Sequence, residues 1–173
     1  MSRVYIGLGS NLGNKINNLE KALIELKEIV KTEKVSSLYE SEPWGYKQQD
    51  NFYNVVVEAD TNLTPQELLH SLKEIELKLG RQEESVRWGP RVIDLDILLY
   101  GRKIIDLPGL KIPHSEIKNR VFVLLPLLEL NPELTDPLSR KKFSEIAASI
   151  KDNVRIKKIA FFNKEKWNWN ENI

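Results

Sequence analysis

Apolar residues recur along this chain with two different periods, and the switches between them outline its elements. Val4 to Leu8 reads as a strand, closed by Gly9-Ser10-Asn11. Ile16, Leu19, Ala22, Leu23, Leu26, Ile29 and Val30 then fall at helical spacing. Val35 to Ser41 reads as a second strand, and a long loop holding Pro43 and Gly45 leads to a third, Phe52 to Asp60. Thr64-Pro65-Gln66-Glu67 is a helix start, with Thr64 as N-cap, Pro65 in the first turn and Glu67 closing a capping box. That helix turns Leu68, Leu69, Leu72, Ile75 and Leu79 inward and stops at Gly80. A charged loop, Arg81 to Arg87, leads into a strand from Val92 to Leu99.

The order is β-α-β-β-α-β, with two strands meeting in the middle without a helix, which argues against an all-parallel sheet. The fold class expected is α+β: a ferredoxin-like βαββαβ core with a mostly antiparallel sheet, helices on its faces and C-terminal additions. Those additions are short strands near Ile104 and Lys111, a Leu-rich helix from about Val121 to Leu130, a helix near Ser144 to Ile150 and a strand over Val154 to Ile159. One domain over residues 1–162 is expected, with a polar, loosely held tail at 163–173 carrying Trp167 and Trp169.

Composition narrows the classes. Lys and Arg number 26 against 25 Asp and Glu, so bulk electrostatic capture of nucleic acid or anionic membrane is disfavoured. Any phosphate recognition must come from a local cluster. The absence of cysteine removes disulfides and thiolate chemistry and fits a reducing compartment. No stretch approaches the roughly 20 apolar residues of a membrane span, and the first residues hold too short an apolar run for a signal peptide. A cytoplasmic protein is expected.

The chemistry concentrates in Arg87-Trp88-Gly89-Pro90-Arg91-Val92-Ile93-Asp94-Leu95-Asp96-Ile97. Strand alternation sends Asp94 and Asp96 to one face and Ile93, Leu95, Ile97 and Leu99 to the other. Two carboxylates side by side repel unless a positive charge lies between them, and Mg²⁺ commonly binds through one or two carboxylates plus substrate phosphates. Arg87 and Arg91, just upstream, have the planar fork that grips phosphate.

Other positions are less telling alone. Gly7, Gly9 and Gly13 have the wrong spacing for a dinucleotide fingerprint and read better as a tight strand-to-helix turn. Phe52 and Asn54 share one face of their strand, where a ring and an amide suit a flat heterocycle, although aromatics entering a strand are commonly core. Glu76, at the edge of an apolar helix stripe, is either the ion-pair partner of Arg81 or part of a site. Pro113-His114, close to Lys118 and Arg120, is either a binding turn or a solvated helix start. His70 has no such company and reads as structural.

Together these residues resemble the 6-hydroxymethyl-7,8-dihydropterin pyrophosphokinase family of the folate pathway. The likeness runs from Tyr5-Ile6-Gly7 to about Pro132 and includes Gly9-Ser10-Asn11, Glu76, Gly80-Arg81, the Arg87 to Ile97 block, Pro113-His114 and Asn119-Arg120. The resemblance implies a monomeric enzyme that uses ATP and two Mg²⁺ to move a pyrophosphoryl group onto the pterin's hydroxymethyl oxygen, releasing AMP. It implies that Asp94 and Asp96 ligate both metals and that Arg81 and Arg91 neutralise the transferred group. His114 and Arg120 would touch the ATP phosphates, and Glu76, Arg87 and Trp88 would belong to the ATP side. Backbone groups around Ile97 and Leu110 would hold adenine. Phe52 and Phe122 would sandwich the pterin, Asn54 and the segment Ser41, Glu42, Pro43 and Trp44 would bond its edge, and Trp88 would pack beside it.

Two positions depart from the family pattern: Glu83, where an arginine is frequent, and Ser115, where a tyrosine is frequent. The role of general base stays open. An RNA-binding module would want a basic sheet face, which the near-neutral charge and paired aspartates oppose. An inactive pterin- or nucleotide-binding regulator would have lost a metal ligand or a phosphate arginine, yet Asp94, Asp96, Arg81, Arg91 and His114 are all present.

Overall fold

Alternation along the strands divides the molecule into two apolar layers around a sheet, and the sheet carries the site on one face. The structure, a computed structural model, describes residues 1–43, 47–81, 89–150 and 154–160. Chain order is β1 (Ser2–Ser10), α1 (Lys15–Lys27), β2 (Lys31–Val35), β3 (Leu38–Ser41), β4 (Phe52–Thr61), α2 (Pro65–Lys78), β5 (Asp94–Tyr100), β6 (Ile105–Leu107), β7 (Leu110–Ile112), a 3₁₀ turn (Ile117–Asn119), α3 (Val121–Leu130), α4 (Phe143–Ser149) and β8 (Ile156–Ala160). The main sheet runs β5-β1-β4-β3-β8, with β2 also on β4, and its pairings are antiparallel. The mixed fold with a mostly antiparallel sheet is as expected. Strands β6 and β7 form a separate hairpin.

Val4, Ile6 and Leu8 of β1, Val55, Val57 and Ala59 of β4, and Leu95 and Ile97 of β5 point to one face, where they pack on Leu19, Leu23 and Leu26 of α1 and Leu68 and Leu72 of α2. Tyr5, Val56, Leu98 and Leu99 point to the other face, against Leu124 and Leu127 of α3 and against Phe143. The capping box at Thr64 forms as expected: the Thr64 hydroxyl accepts from the Glu67 amide at 3.3 Å and the Glu67 carboxylate accepts from the Thr64 amide at 2.7 Å. Helix α1 ends at Lys27, so Ile29 and Val30 reach the core from beyond the helix.

Two strand expectations need correction. The stretch Val35 to Ser41 is broken at Ser36-Ser37 rather than continuous. The Ser36 hydroxyl takes the hydrogen bond of the Val56 amide at 2.9 Å, and the Ser37 amide turns away to the Glu129 carboxylate of α3 at 3.2 Å. The Ser36 amide still donates to the Val56 carbonyl at 2.9 Å, and side chains take over the other two bonds. Leu99 was expected beside Ile97, yet it lies on the opposite face. The register on β1 shifts between Tyr5 and Ile6, so Leu98 is an extra residue and everything beyond it changes face.

The 3₁₀ turn is anchored from below. Asp136, fully buried, accepts from Lys118 Nζ at 2.6 Å and from the Ser139 hydroxyl at 2.6 Å. Burial pushes its carboxyl up, but Lys118, Ser139 and the backbone amides outweigh that and hold it below the usual carboxylate range. A depressed pKa contributes stability above the unfolded carboxylate's pKa, and that stability is lost as pH falls through the lower folded value. Asp136→Asn is therefore expected to cost about 2 kcal/mol near neutrality and to flatten the acid limb of the stability curve, checked by denaturant melts across pH. Among the described residues, no helix is long and apolar enough to cross a membrane.

Candidate active site

The face of the sheet that carries α3 is not covered along its whole length. Beyond the helix, Gly7 and Gly9 of β1, Phe52 and Asn54 of β4, and Asp94, Asp96 and Leu98 of β5 floor a cavity of about 370 Å³. Ser41 and Glu42 border it at the end of β3, Lys73 and Arg81 wall it at β5, and His114, Arg120 and Phe122 close the remaining side. Gly7 and Gly9 correct the turn reading given above: they lie within β1, and only Gly13 adopts the left-handed turn conformation, at φ 66°. A Cβ on Gly9 would stand 3.4 Å from Asn54 Oδ1, so glycine there keeps space open beside the amide.

Strand β5 lies at the edge of the sheet, and its outward backbone groups are satisfied by α2. The Leu95 amide donates to Glu76 Oε1 at 2.6 Å, and Lys73 Nζ donates to the Leu95 carbonyl at 3.4 Å. Glu76, buried, also pairs with Lys73 at 2.9 Å and with Arg81. Burial pushes the Glu76 carboxyl up, opposed by Lys73 and the Leu95 amide. Of the two alternatives for Glu76, the ion pair with Arg81 is the one seen, and Glu76 itself is not among the residues lining the cavity. Its position brings Arg81 to the aspartates, 2.7 Å from Asp94 Oδ1.

Arg91 Nη1 stands 3.4 Å from the same oxygen. Burial pushes the Asp94 carboxyl up, and Arg91 and Arg81 outweigh it and hold the group below its ordinary value. Asp96 is treated differently: its described ion-pair contact is His114 Nε2 at 3.8 Å. Burial, and then the Asp94 charge, push Asp96 up against the opposing influence of His114. One carboxylate is balanced and its neighbour is short of positive charge. That donor set of hard oxygens suits a divalent cation. Among the described residues no group of three or more Asp, Glu, His or Cys could hold a metal, so phosphate and water oxygens would have to complete the shell.

The bulge at Leu98 also positions His114. The Leu98 carbonyl accepts the His114 amide at 3.0 Å, which seats the imidazole beside Asp96. His114 Nδ1 accepts from the Glu116 amide at 3.2 Å. Burial pulls its pKa down against the pull of Asp96, so the ring is neutral near pH 7 with its proton on Nε2, facing the carboxylate side.

Most expected site residues converge here: Arg81, Arg91, Asp94, Asp96, His114, Arg120, Ser41, Glu42, Phe52, Asn54 and Phe122 all line one cavity. Pro43 is buried beside it, and the side chains of Ile97 and Leu110 lie in the core, leaving their backbone for any contact. Tyr53 points to the opposite face, as alternation required. Trp44, Arg87, Trp88 and the departure at Glu83 fall outside the described residues. Lys73 was missed; its place three residues before Glu76, on the same side of α2, is the signal that would have found it.

The chain matches the family model described as 7,8-dihydro-6-hydroxymethylpterin-pyrophosphokinase over residues 5–132. It is 46% identical over 145 residues to a 2-amino-4-hydroxy-6-hydroxymethyldihydropteridine pyrophosphokinase of Aquifex aeolicus, covering 84% of this chain and 90% of that one. A protein of the same name from Bacillus subtilis is 48% identical over 128 residues, covering 73% and 76%. A wild-type HPPK-DHPS structure from Plasmodium falciparum superposes with a TM-score of 0.69 at 17% identity, over 85% of this chain and 43% of that one. This chain thus spans less than half of that solved chain, and the likeness to it is one of fold.

Proposed function

We propose a mechanism from this premise: the chain belongs to the 7,8-dihydro-6-hydroxymethylpterin-pyrophosphokinase family. It is an ATP-dependent pyrophosphokinase of folate biosynthesis, transferring the pyrophosphoryl group of ATP to hydroxymethyldihydropterin and leaving AMP. The observation that supports assigning the chemistry to this cavity is its composition. Paired aspartates ringed by Arg81, Arg91, His114 and Arg120 share one cavity with Phe52, Asn54 and Phe122.

In this reading Phe52 and Phe122 hold the flat pterin, with the Asn54 amide on its edge. Asn54 is braced for that task, its Nδ2 donating to the Ser41 hydroxyl at 2.8 Å and leaving Oδ1 toward the cavity. Arg81, Arg91 and Arg120 hold the triphosphate, and His114 donates from Nε2. Asp94 and Asp96 would hold two Mg²⁺, which when bound polarise phosphate oxygens and lower the pKa of the attacking hydroxyl. The pterin oxygen forms a bond to the β-phosphorus while the bond from that phosphorus to the α,β-bridging oxygen breaks, the electron pair leaves with AMP, and the hydroxyl proton passes to solvent. Transfer of this kind is dominated by positioning and charge stabilisation. The guanidinium groups, fixed on Glu76 and Asp94 before the reaction, meet the developing charge without reorganising. We further propose that the enzyme acts as a cytoplasmic monomer.

The test follows AMP release in the presence of ATP and Mg²⁺. Release should require the pterin, and Phe52→Ala should raise KM for the pterin about tenfold to a hundredfold while KM for ATP moves less than about twofold. An unchanged pterin KM would remove Phe52 from the binding site.

A further inference from the structure

Asn11 directly follows β1, and its backbone amide and both polar atoms of its side chain are committed. Its Oδ1 accepts the Arg91 amide at 2.8 Å and its own amide donates to the Arg91 carbonyl at 3.1 Å. Its Nδ2 donates to Gln49 Oε1 at 2.8 Å and to the Asp50 carbonyl at 3.0 Å. The side chain is 1% exposed, so no water stands ready to replace these partners. One end of the residue therefore fixes the backbone of a phosphate-side arginine. The other fixes residues 49–50, which run directly into Phe52.

We infer that Asn11 is a positioning residue that couples the ATP subsite to the pterin subsite. The inference rests on the substrate assignment proposed above. Arg91 cannot shift its backbone toward a bound triphosphate without moving Asn11, and Asn11 cannot move without carrying residues 49–50 and the entry to Phe52. Binding at one subsite thus settles the geometry of the other, and linkage makes the effect reciprocal. Lys15 provides an internal contrast. Its Nζ donates to the Asn51 carbonyl at 2.8 Å and lies 5.2 Å from the Tyr53 ring, so it steadies the same loop with no described contact to Arg91.

The test measures the affinity of 6-hydroxymethyl-7,8-dihydropterin by calorimetry, with and without Mg²⁺ and α,β-methylene-ATP. In the unaltered protein the nucleotide should tighten pterin binding by about tenfold. Asn11→Asp keeps an acceptor for the Arg91 amide but loses the donor to Gln49 and Asp50, and should abolish the tightening while nucleotide affinity changes less than about threefold. Gln49→Ala leaves Asn11 in place, removes one of the two loop bonds and should weaken the tightening in part. Lys15→Ala should weaken pterin binding equally in both conditions. The inference is overturned if the unaltered protein shows no tightening, if Asn11→Asp and Gln49→Ala both retain it in full, or if Lys15→Ala abolishes it. Failure of the unaltered protein to bind pterin or nucleotide at all would instead overturn the substrate assignment on which the coupling stands.

Discussion

Asp96→Ala is expected to lower kcat for AMP formation by about a thousandfold or more while the protein stays folded. Of the two aspartates it is the cleaner probe. Asp94 is tied to Arg81 at 2.7 Å and to Arg91 at 3.4 Å, so removing it would also release two guanidinium groups. Asp96 has His114 Nε2 at 3.8 Å and carries a carboxyl that burial and the neighbouring Asp94 push up, so its charge works against the fold. Removing it should therefore leave thermal stability unchanged or higher, while turnover collapses. That opposition marks a carboxylate kept for chemistry rather than for folding. Steady-state kinetics and a thermal melt on one preparation check both halves. A variant with near-normal turnover would contradict the role given to Asp96.

Arg91→Ala comes next in size, with a fall in kcat of about a hundredfold to a thousandfold expected for loss of a fixed cation at a site of developing charge. The side chain is 18% exposed and its backbone is pinned by Asn11, so the guanidinium is presented at little entropic cost. Arg91→Lys keeps the charge but loses the planar fork and should recover only a small part of the rate. KM for the pterin should change far less than kcat, because the role proposed for Arg91 is on the phosphates. If Arg91→Lys turns over within about threefold of the unaltered enzyme, the fork has no part in the reaction.

Much of this arrangement was legible in the chain. The capping box at Thr64, the span of α3 from Val121 to Leu130 and the facing of Asp94 with Asp96 all follow from local periods and caps. Phe52 and Asn54 on one face, with Tyr53 on the other, required alternation alone. Assigning His114 and Phe122 to the same cavity came from the family resemblance, because no period links them to β5. What stayed hidden depends on partners far along the chain. The Ser36-Ser37 break is set by Glu129, and the face reversal at Leu98 is set by pairing with β1. Gly7 and Gly9 looked like turn residues until β1 was seen to continue through them as the floor of the cavity. The i,i+3 spacing on α2 pairs Lys73 with Glu76, but their placement against the open edge of β5 depends on contacts far along the chain.

The most direct test of the central claim follows the phosphorus atoms themselves. The protein would be incubated with Mg²⁺, 6-hydroxymethyl-7,8-dihydropterin and ATP labelled in turn at the α-, β- or γ-phosphorus. Attack at the β-phosphorus predicts that β and γ labels both appear on the pterin and that the α label remains in AMP. Transfer of the γ label alone, with ADP as the second product, would contradict it.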